Sequence, residues 1–325
     1  MSVIGNTTLS FSEEQAMLLD VAREFCRNKS PIAAVRAQLE TDNGFDPAIW
    51  DEMVALGWTG IALPESCGGS GLGVATVVPV VEAMGRAMLG TPLISTTLAA
   101  QLLLRAGSAR QLEAVLTEIA GGSVATLALL ENADWGDSTI SCTVDADGVL
   151  RGVKKYVTDA TAARLLVVLA EHKGAPALAV VRSEQLADGA IRPNTLIDQT
   201  KRSATVDFSG VRVADARLIT GKAVAAAVGE VQLMGALLSA AEATGSAASC
   251  LDTVVDYLKT RKQFGKLIGS YQALKHPAVE ILTAVDSGRS FIYHAATLVD
   301  DGPLDKDAEI ACRMAKAHAT ETLLY

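Results

Sequence analysis

The stretch from Thr260 to Ile281, TRKQFGKLIGSYQALKHPAVEI, sets Arg261, Lys262 and Lys266 around a glutamine and a Phe-Gly pair. Guanidinium and ammonium groups at that density can hold a negatively charged group, and Phe264 offers an apolar surface beside them. A plainer reading also stands: cations at the end of a helix complement its negative pole and bind nothing. Other chemistry-bearing residues are sparse. His172, His276, His294 and His318 are dispersed and give no metal-ligand spacing. Cys26, Cys67, Cys142, Cys250 and Cys312 form no C-x-x-C, which reads as reduced thiols in an intracellular protein. LPESCGGSGLG, residues 63–73, is rich in glycine but lacks Walker spacing and a feeding strand, so it reads as a structural turn.

The elements that must position the basic stretch fall into three zones. Residues 1–122 read as a helical domain. Ser10 or Ser12 can cap its first helix, and Met17, Leu18, Val21, Ala22 and Phe25 follow at helical spacing. DPAIWDEMVALG supplies a second helix, with Asp46 as N-cap, Pro47 at the first position and Gly57 at the stop. Residues 123–220 change texture to short β-rich runs such as RLLVVLA and PALAVVR, separated by turn signals such as DADG. These predict an antiparallel sandwich or barrel. Neither a βαβ unit nor G-x-G-x-x-G occurs, which argues against a nicotinamide-binding Rossmann domain. Residues 221–325 are helical again. Their first helix is Ala-rich and apolar nearly all round, as inside a bundle or at an oligomer interface, with Gly265 expected at its C′ position. The last helix runs into Tyr325 without a stop signal, so the C-terminal bundle reads as incomplete.

Composition bounds the function. Half of the 325 residues are apolar and a fifth charged, as in a soluble globular protein, and the net charge of −9 disfavours nucleic acid and anionic membranes as partners. No stretch reaches the ~18 consecutive apolar residues of a membrane span, and no basic-then-apolar leader opens the chain. The expectation is a cytoplasmic protein with no membrane association.

The order helical, β, helical resembles the acyl-CoA dehydrogenase family, and several stretches carry the likeness. FSEEQAMLLDVAREFC resembles the family's first helix, and FDPAIWDEMVALGWTGIALPESCGGSG its second helix and Gly-Gly loop. EAMGRA resembles the helix after that loop, and KKYVTDA a strand of the β domain. KRSATVDFSGVRV resembles the strand pair that closes it, and RKQFGKLIGSYQALKHPAVEI the Arg, Phe-Gly and Gln signature of the C-terminal domain. The likeness spans residues 10–325.

The resemblance implies an FAD-dependent enzyme that oxidises an acyl-CoA to the 2-enoyl-CoA and passes electrons to an electron-transfer flavoprotein or similar acceptor. It also implies a homo- or hetero-tetramer in which each flavin is held by the β domain of one chain and the C-terminal helices of another. On the C-terminal side the matching positions are Arg261, Gln263, Phe264, Ile268 and Tyr271. On the β side Tyr156 and Thr158 match, while Leu130 stands where the family has a flavin-contacting threonine. Glu131 is kept, Asn132 replaces a proline and Gly136 falls near the family's serine. The base that should remove the α proton is not found. One family position for it falls on Gly235, and Glu242, two turns further along the same apolar helix, is the candidate that remains. An alternative is a non-catalytic structural or acyl-CoA-binding partner subunit of such an enzyme.

Overall fold

The computed structural model describes residues 13–107, 109–134, 137, 139–299 and 303–325. The N-cap expected at Ser10 or Ser12 lies outside them. Six helices come first: α1 (Glu13–Lys29), α2 (Ile32–Gln38), α3 (Pro47–Ala55), α4 (Val78–Ala87), α5 (Leu93–Ala106) and α6 (Ala109–Ala120). Ten strands follow: β1 (Ala125–Ala128), β2 (Thr143–Val144), β3 (Val149–Arg151), β4 (Val153–Thr158), β5 (Leu165–His172), β6 (Ala175–Arg182), β7 (Ile191–Pro193), β8 (Ser203–Asp207), β9 (Val211–Arg212) and β10 (Leu218–Thr220). The chain closes with α7 (Ala223–Thr260), β11 (Lys262–Gln263), β12 (Lys266–Leu267), α8 (Gln272–Ala296) and α9 (Lys306–Leu324). This is the helical, β, helical order expected of the sequence.

Local chemistry explains the boundaries. The Asp46 carboxylate accepts the Ala48 N–H at 2.9 Å, Pro47 opens α3 where no amide donor is needed, and Gly57 follows it with φ 76°. The glycine-rich loop is tied into a compact turn by its own backbone. Ser70 N–H donates to Gly60 at 2.9 Å and Gly71 N–H to Leu63 at 2.8 Å. A Cβ on Gly69 would lie 2.2 Å from the Leu63 carbonyl oxygen, so only glycine fits that crossing.

The chain forms two compact units. One holds residues 33–73 and 90–232 and contains strands β1 to β10. Its main sheet runs β10-β6-β5-β2-β3-β9, and a second sheet runs β4-β8-β7. Leu165–Ala170 of β5 and Ala177–Val181 of β6 are buried continuously, which is why they read as unbroken apolar runs. Pairing is antiparallel except at β5, which β1 meets in parallel (Ala125↔Leu165) and β2 meets at Thr143↔Glu171. The long stretch between β1 and β5 gives the chain room to return in the same direction. KRSATVDFSGVRV gives β8 and β9, which go to different sheets: β8 joins β4 and β9 joins β3.

The other unit holds residues 1–32, 74–89 and 233–325. Here α4 crosses α7 with backbones nearly touching. A Cβ on Gly85 would lie 2.1 Å from the Glu242 carbonyl oxygen, and one on Gly245 would lie 2.0 Å from that of Glu82. Ser246 Oγ donates to the Gly85 carbonyl at 3.0 Å across the same crossing. By length and composition alone α7 could cross a membrane, a test that the core helix of a soluble bundle also passes.

Candidate functional site

The basic stretch does not form a helix end of the expected kind. The last turn of α7 closes with the Arg261 N–H donating to Tyr257 at 2.9 Å, and the chain then makes a tight hairpin. Lys262 pairs with Leu267 and Gln263 with Lys266. Phe264 (φ 52°) and Gly265 (φ 75°) are its two central residues, both left-handed, as a two-residue type I′ turn requires. Gly265 is therefore a turn residue rather than the C′ residue of α7. A helix stop and a type I′ turn make the same demand on φ, so the glycine alone does not distinguish them.

The hairpin is braced from one side. Ile268 N–H donates to the Arg261 carbonyl at 2.9 Å, and the Tyr271 hydroxyl donates to the Gln263 carbonyl at 3.2 Å. The Phe264 and Tyr271 rings meet edge-on with centroids 6.5 Å apart, yet Phe264 is 89% exposed. Among the described residues no carboxylate pairs with Arg261, Lys262 or Lys266. Arg261, Gln263, Phe264, Ile268 and Tyr271 are thus brought together on one small scaffold. It presents a cation and an aromatic face to solvent, a surface suited to a group with both an anionic and a planar part.

The β-side candidates belong to the other unit. Tyr156 sits where the register between β4 and β8 slips, between Lys154 and Val157, and it too is left-handed, with φ 53°. Bulges of this kind re-aim a side chain. Tyr156 is half-buried and Thr158 is exposed at the end of the strand, where its carbonyl accepts the Thr126 hydroxyl at 2.5 Å. Gly136 lies outside the described residues.

Glu131 has a different job from its neighbours. Its carboxylate accepts the N–H groups of Ser141 (2.8 Å) and Cys142 (3.0 Å) and the Lys154 ammonium (2.6 Å). Lys154 is fully buried and also donates to the Leu129 carbonyl at 3.1 Å. Burial alone would raise the Glu131 carboxyl, but the Lys154 and backbone hydrogen bonds outweigh it and hold it below the ordinary glutamate value. This pair pins the loop after β1 to the bulged strand that carries Tyr156. In the sequence Lys154 looks like one of two adjacent solvated lysines, and only the alternation of β4 marks it as inward-facing. Arg202 is similar: its guanidinium donates to the carbonyls of Gln38, Leu39, Thr41, Gln199 and Lys201, so it staples loops rather than binding a ligand.

The carboxylates near the expected base position are mostly committed. Glu230 pairs with Arg105, and both are largely buried. Glu82 accepts the Tyr293 hydroxyl and lies 2.8 Å from the Arg289 guanidinium, joining α4 to α8. Burial first, then the Glu82 charge, pushes the Tyr293 phenol far above its ordinary value, so it stays a donor. Arg86 of the same EAMGRA segment pairs with Asp252 of α7. Glu242 is half-buried, with its backbone at the Gly85 crossing. About nineteen residues at ~1.5 Å each separate it from Arg261, so the two stand roughly 28 Å apart along α7.

Residues 12–123 match the family model described as "Acyl-CoA dehydrogenase, N-terminal domain", and residues 222–325 match "Acyl-CoA dehydrogenase, C-terminal domain". Acyl-CoA dehydrogenase IpdE2 of Mycolicibacterium smegmatis is 30% identical over 288 residues, covering 87% of this chain and 76% of the relative. Among solved structures, a chain described under the electron transferring flavoprotein of Acidaminococcus fermentans superposes with a TM-score of 0.84 at 26% identity, covering 96% of this chain and 85% of that one. The Tcur3481-Tcur3483 steroid ACAD gives a TM-score of 0.80 at 27% identity, covering 96% and 86%. Members of the family are oxidoreductases that bind FAD. On these matches and on the fold that positions the Phe264 hairpin, this chain belongs to the acyl-CoA dehydrogenase family.

Proposed function

We propose that this chain takes part in flavin-dependent α,β-dehydrogenation of an acyl-CoA to the 2-enoyl-CoA, as a subunit of a homo- or hetero-tetramer whose FAD sites are shared between chains. The observation that carries the proposal is the exposed hairpin, on which Phe264 is held left-handed beside an Arg261 that meets no carboxylate among the described residues. A cofactor with a diphosphate and planar rings fits that surface. When bound, FAD supplies the acceptor for the hydride that leaves the β carbon.

The chain's own residues have narrower tasks. Arg261 attracts the diphosphate, which the negative end of α7 would otherwise repel. Phe264 and Ile268 offer apolar surface, and Tyr271 holds the Gln263 carbonyl so that the hairpin keeps its shape. In the β unit Tyr156 and Thr158 face a flavin, with the bulge around Tyr156 fixed by Lys154 and Glu131. Because Gly235 cannot take a proton, the α proton goes either to Glu242 or to a carboxylate of a partner chain. The electron acceptor is an electron-transfer flavoprotein or a chemical equivalent. The division at 1–122, 123–220 and 221–325 assigns the β side to the middle segment and the hairpin to the last. A cytoplasmic protein without nucleic-acid or membrane partners completes the reading.

A second reading, a non-catalytic structural or acyl-CoA-binding subunit, draws on Leu130 and Gly235, which remove a hydroxyl and a carboxylate where the reaction uses them. Purification alone and with a co-expressed homologous chain separates the two. Flavin absorbance together with acyl-CoA-dependent reduction of an electron acceptor, in either sample, supports dehydrogenation. A stable complex that never carries flavin and never turns over leaves only the structural role.

A further inference from the structure

In the unit formed by residues 1–32, 74–89 and 233–325, α1 and the residue after it present Arg23, Cys26, Arg27 and Ser30 along one face toward the last turn of α4 and Ser249 of α7. A cavity of ≈ 370 Å³ lies between them, and Arg86 of α4 also lines it. The rest of the wall is small: Ala83, Ala87 and Ser249 leave the room that larger side chains would fill. Three guanidinium groups therefore share one cleft in a protein whose net charge is −9.

Ordinary structural duties use only part of this charge. Asp252 holds Arg86, and Asp20 stands 4.0 Å from Arg23 on the next turn of α1. Among the described residues no carboxylate pairs with Arg27. Nor is an arginine needed to cap the end of α4. The Ser30 hydroxyl donates to the Ala87 carbonyl at 2.9 Å, and Leu89 N–H donates to Met84 at 2.9 Å. The Cys26 thiol is buried in the wall and adds no negative charge, since burial pushes its pKa up to about 12. The cleft opens to solvent, for the Arg23 and Arg86 side chains are 45% and 46% exposed.

We propose that this cleft binds a small phosphorylated ligand, a phosphate monoester or a diphosphate, through Arg23, Arg27 and Arg86. A carboxylate has two oxygens and is satisfied by a single guanidinium fork. A phosphoryl group offers three or more oxygens and makes use of several forks arranged around it. The volume is at the small end of ligand pockets, roughly 300–1,000 Å³, which suits a metabolite better than a folded partner. The site is separate from the hairpin: about twelve helical residues at ~1.5 Å each put Ser249 some 18 Å from Arg261 along α7.

The test is calorimetric titration of the purified chain with inorganic pyrophosphate at low salt. In a chain carrying Arg261→Gln, which removes the diphosphate attraction assigned to the hairpin, binding at one site is expected and is weakened about tenfold or more by adding Arg27→Gln or Arg23→Gln. Both substituted side chains are exposed, and melting curves check that the variants stay folded. Pyrophosphate should raise the melting temperature of the Arg261→Gln chain and not of the same chain with both cleft substitutions added. Absence of binding at millimolar pyrophosphate overturns the proposal. So does binding that survives both substitutions, or that is lost with Arg261→Gln alone.

Discussion

Phe264 holds a φ of 52° that costs a residue with a Cβ roughly 1–2 kcal/mol, and its exposed ring recovers little of that by burial. Strain retained at an exposed aromatic is what a surface shaped for another molecule would show. Phe264→Gly should therefore raise stability by about 1 kcal/mol, read from urea unfolding, while lowering the flavin that co-purifies with the assembled protein. A variant neither more stable nor poorer in flavin would remove the reason for assigning the ring a binding role. The Lys154–Glu131 pair makes the opposite kind of prediction. Lys154→Met leaves a buried carboxylate without its cation and should cost about 3 kcal/mol. Since the folded Glu131 carboxyl titrates below the ordinary value, its stabilisation is fully present above about pH 4.5 and is lost as pH falls through the lower folded value. Urea midpoints collected between about pH 3 and pH 7 should fall less steeply on the acid side in Glu131→Gln than in the wild-type chain.

The crossing of α4 and α7 rests on two glycines that let backbones meet. Gly85→Ala or Gly245→Ala would drive a methyl to 2.1 or 2.0 Å from a carbonyl oxygen of the facing helix, so the helices must separate. The expected loss is about 3 kcal/mol for either, visible in thermal melts and soluble yield. Gly229 of the same α7 is exposed and meets nothing within 4 Å, so Gly229→Ala should instead stabilise by roughly 0.5–1 kcal/mol. Equal effects at all three positions would mean that helix propensity, not the close crossing, governs them. Elements of this kind were readable in the sequence to differing degrees. Asp46, Pro47 and Gly57 specify α3 because caps act on their own neighbours. The hairpin after α7 was hidden because Gly265 satisfies two local rules at once. The Glu82–Arg289–Tyr293 cluster was hidden because charges more than two hundred residues apart find each other only through packing. The Arg, Phe-Gly and Gln spacing was legible as a cluster, since its parts lie within one turn and its brace.

Assembly is the property that a single chain displays least directly, yet the helical unit carries a sign of it. Along α8, Leu274, Val279 and Leu282 are exposed, and Val254 and Tyr257 are exposed on α7 just before the hairpin. Val279 and Leu282 lie about 60° apart on one face of the helix, and Leu274 stands in its first turn, close in sequence to the residues assigned to the flavin. Apolar side chains gathered beside the hairpin proposed to hold one side of a cofactor are accounted for if a second chain covers both. Replacing Val279 and Leu282 together by glutamate adds two charges to that face without touching the buried positions Val285 and Ile292 of α8. The double variant should fold, elute as a smaller species by light scattering, and lose flavin in proportion to the assembly it has lost. If it keeps the wild-type mass, α8 is not the contact. If it dissociates and keeps its flavin, the cofactor is held within one chain and the shared site is wrong.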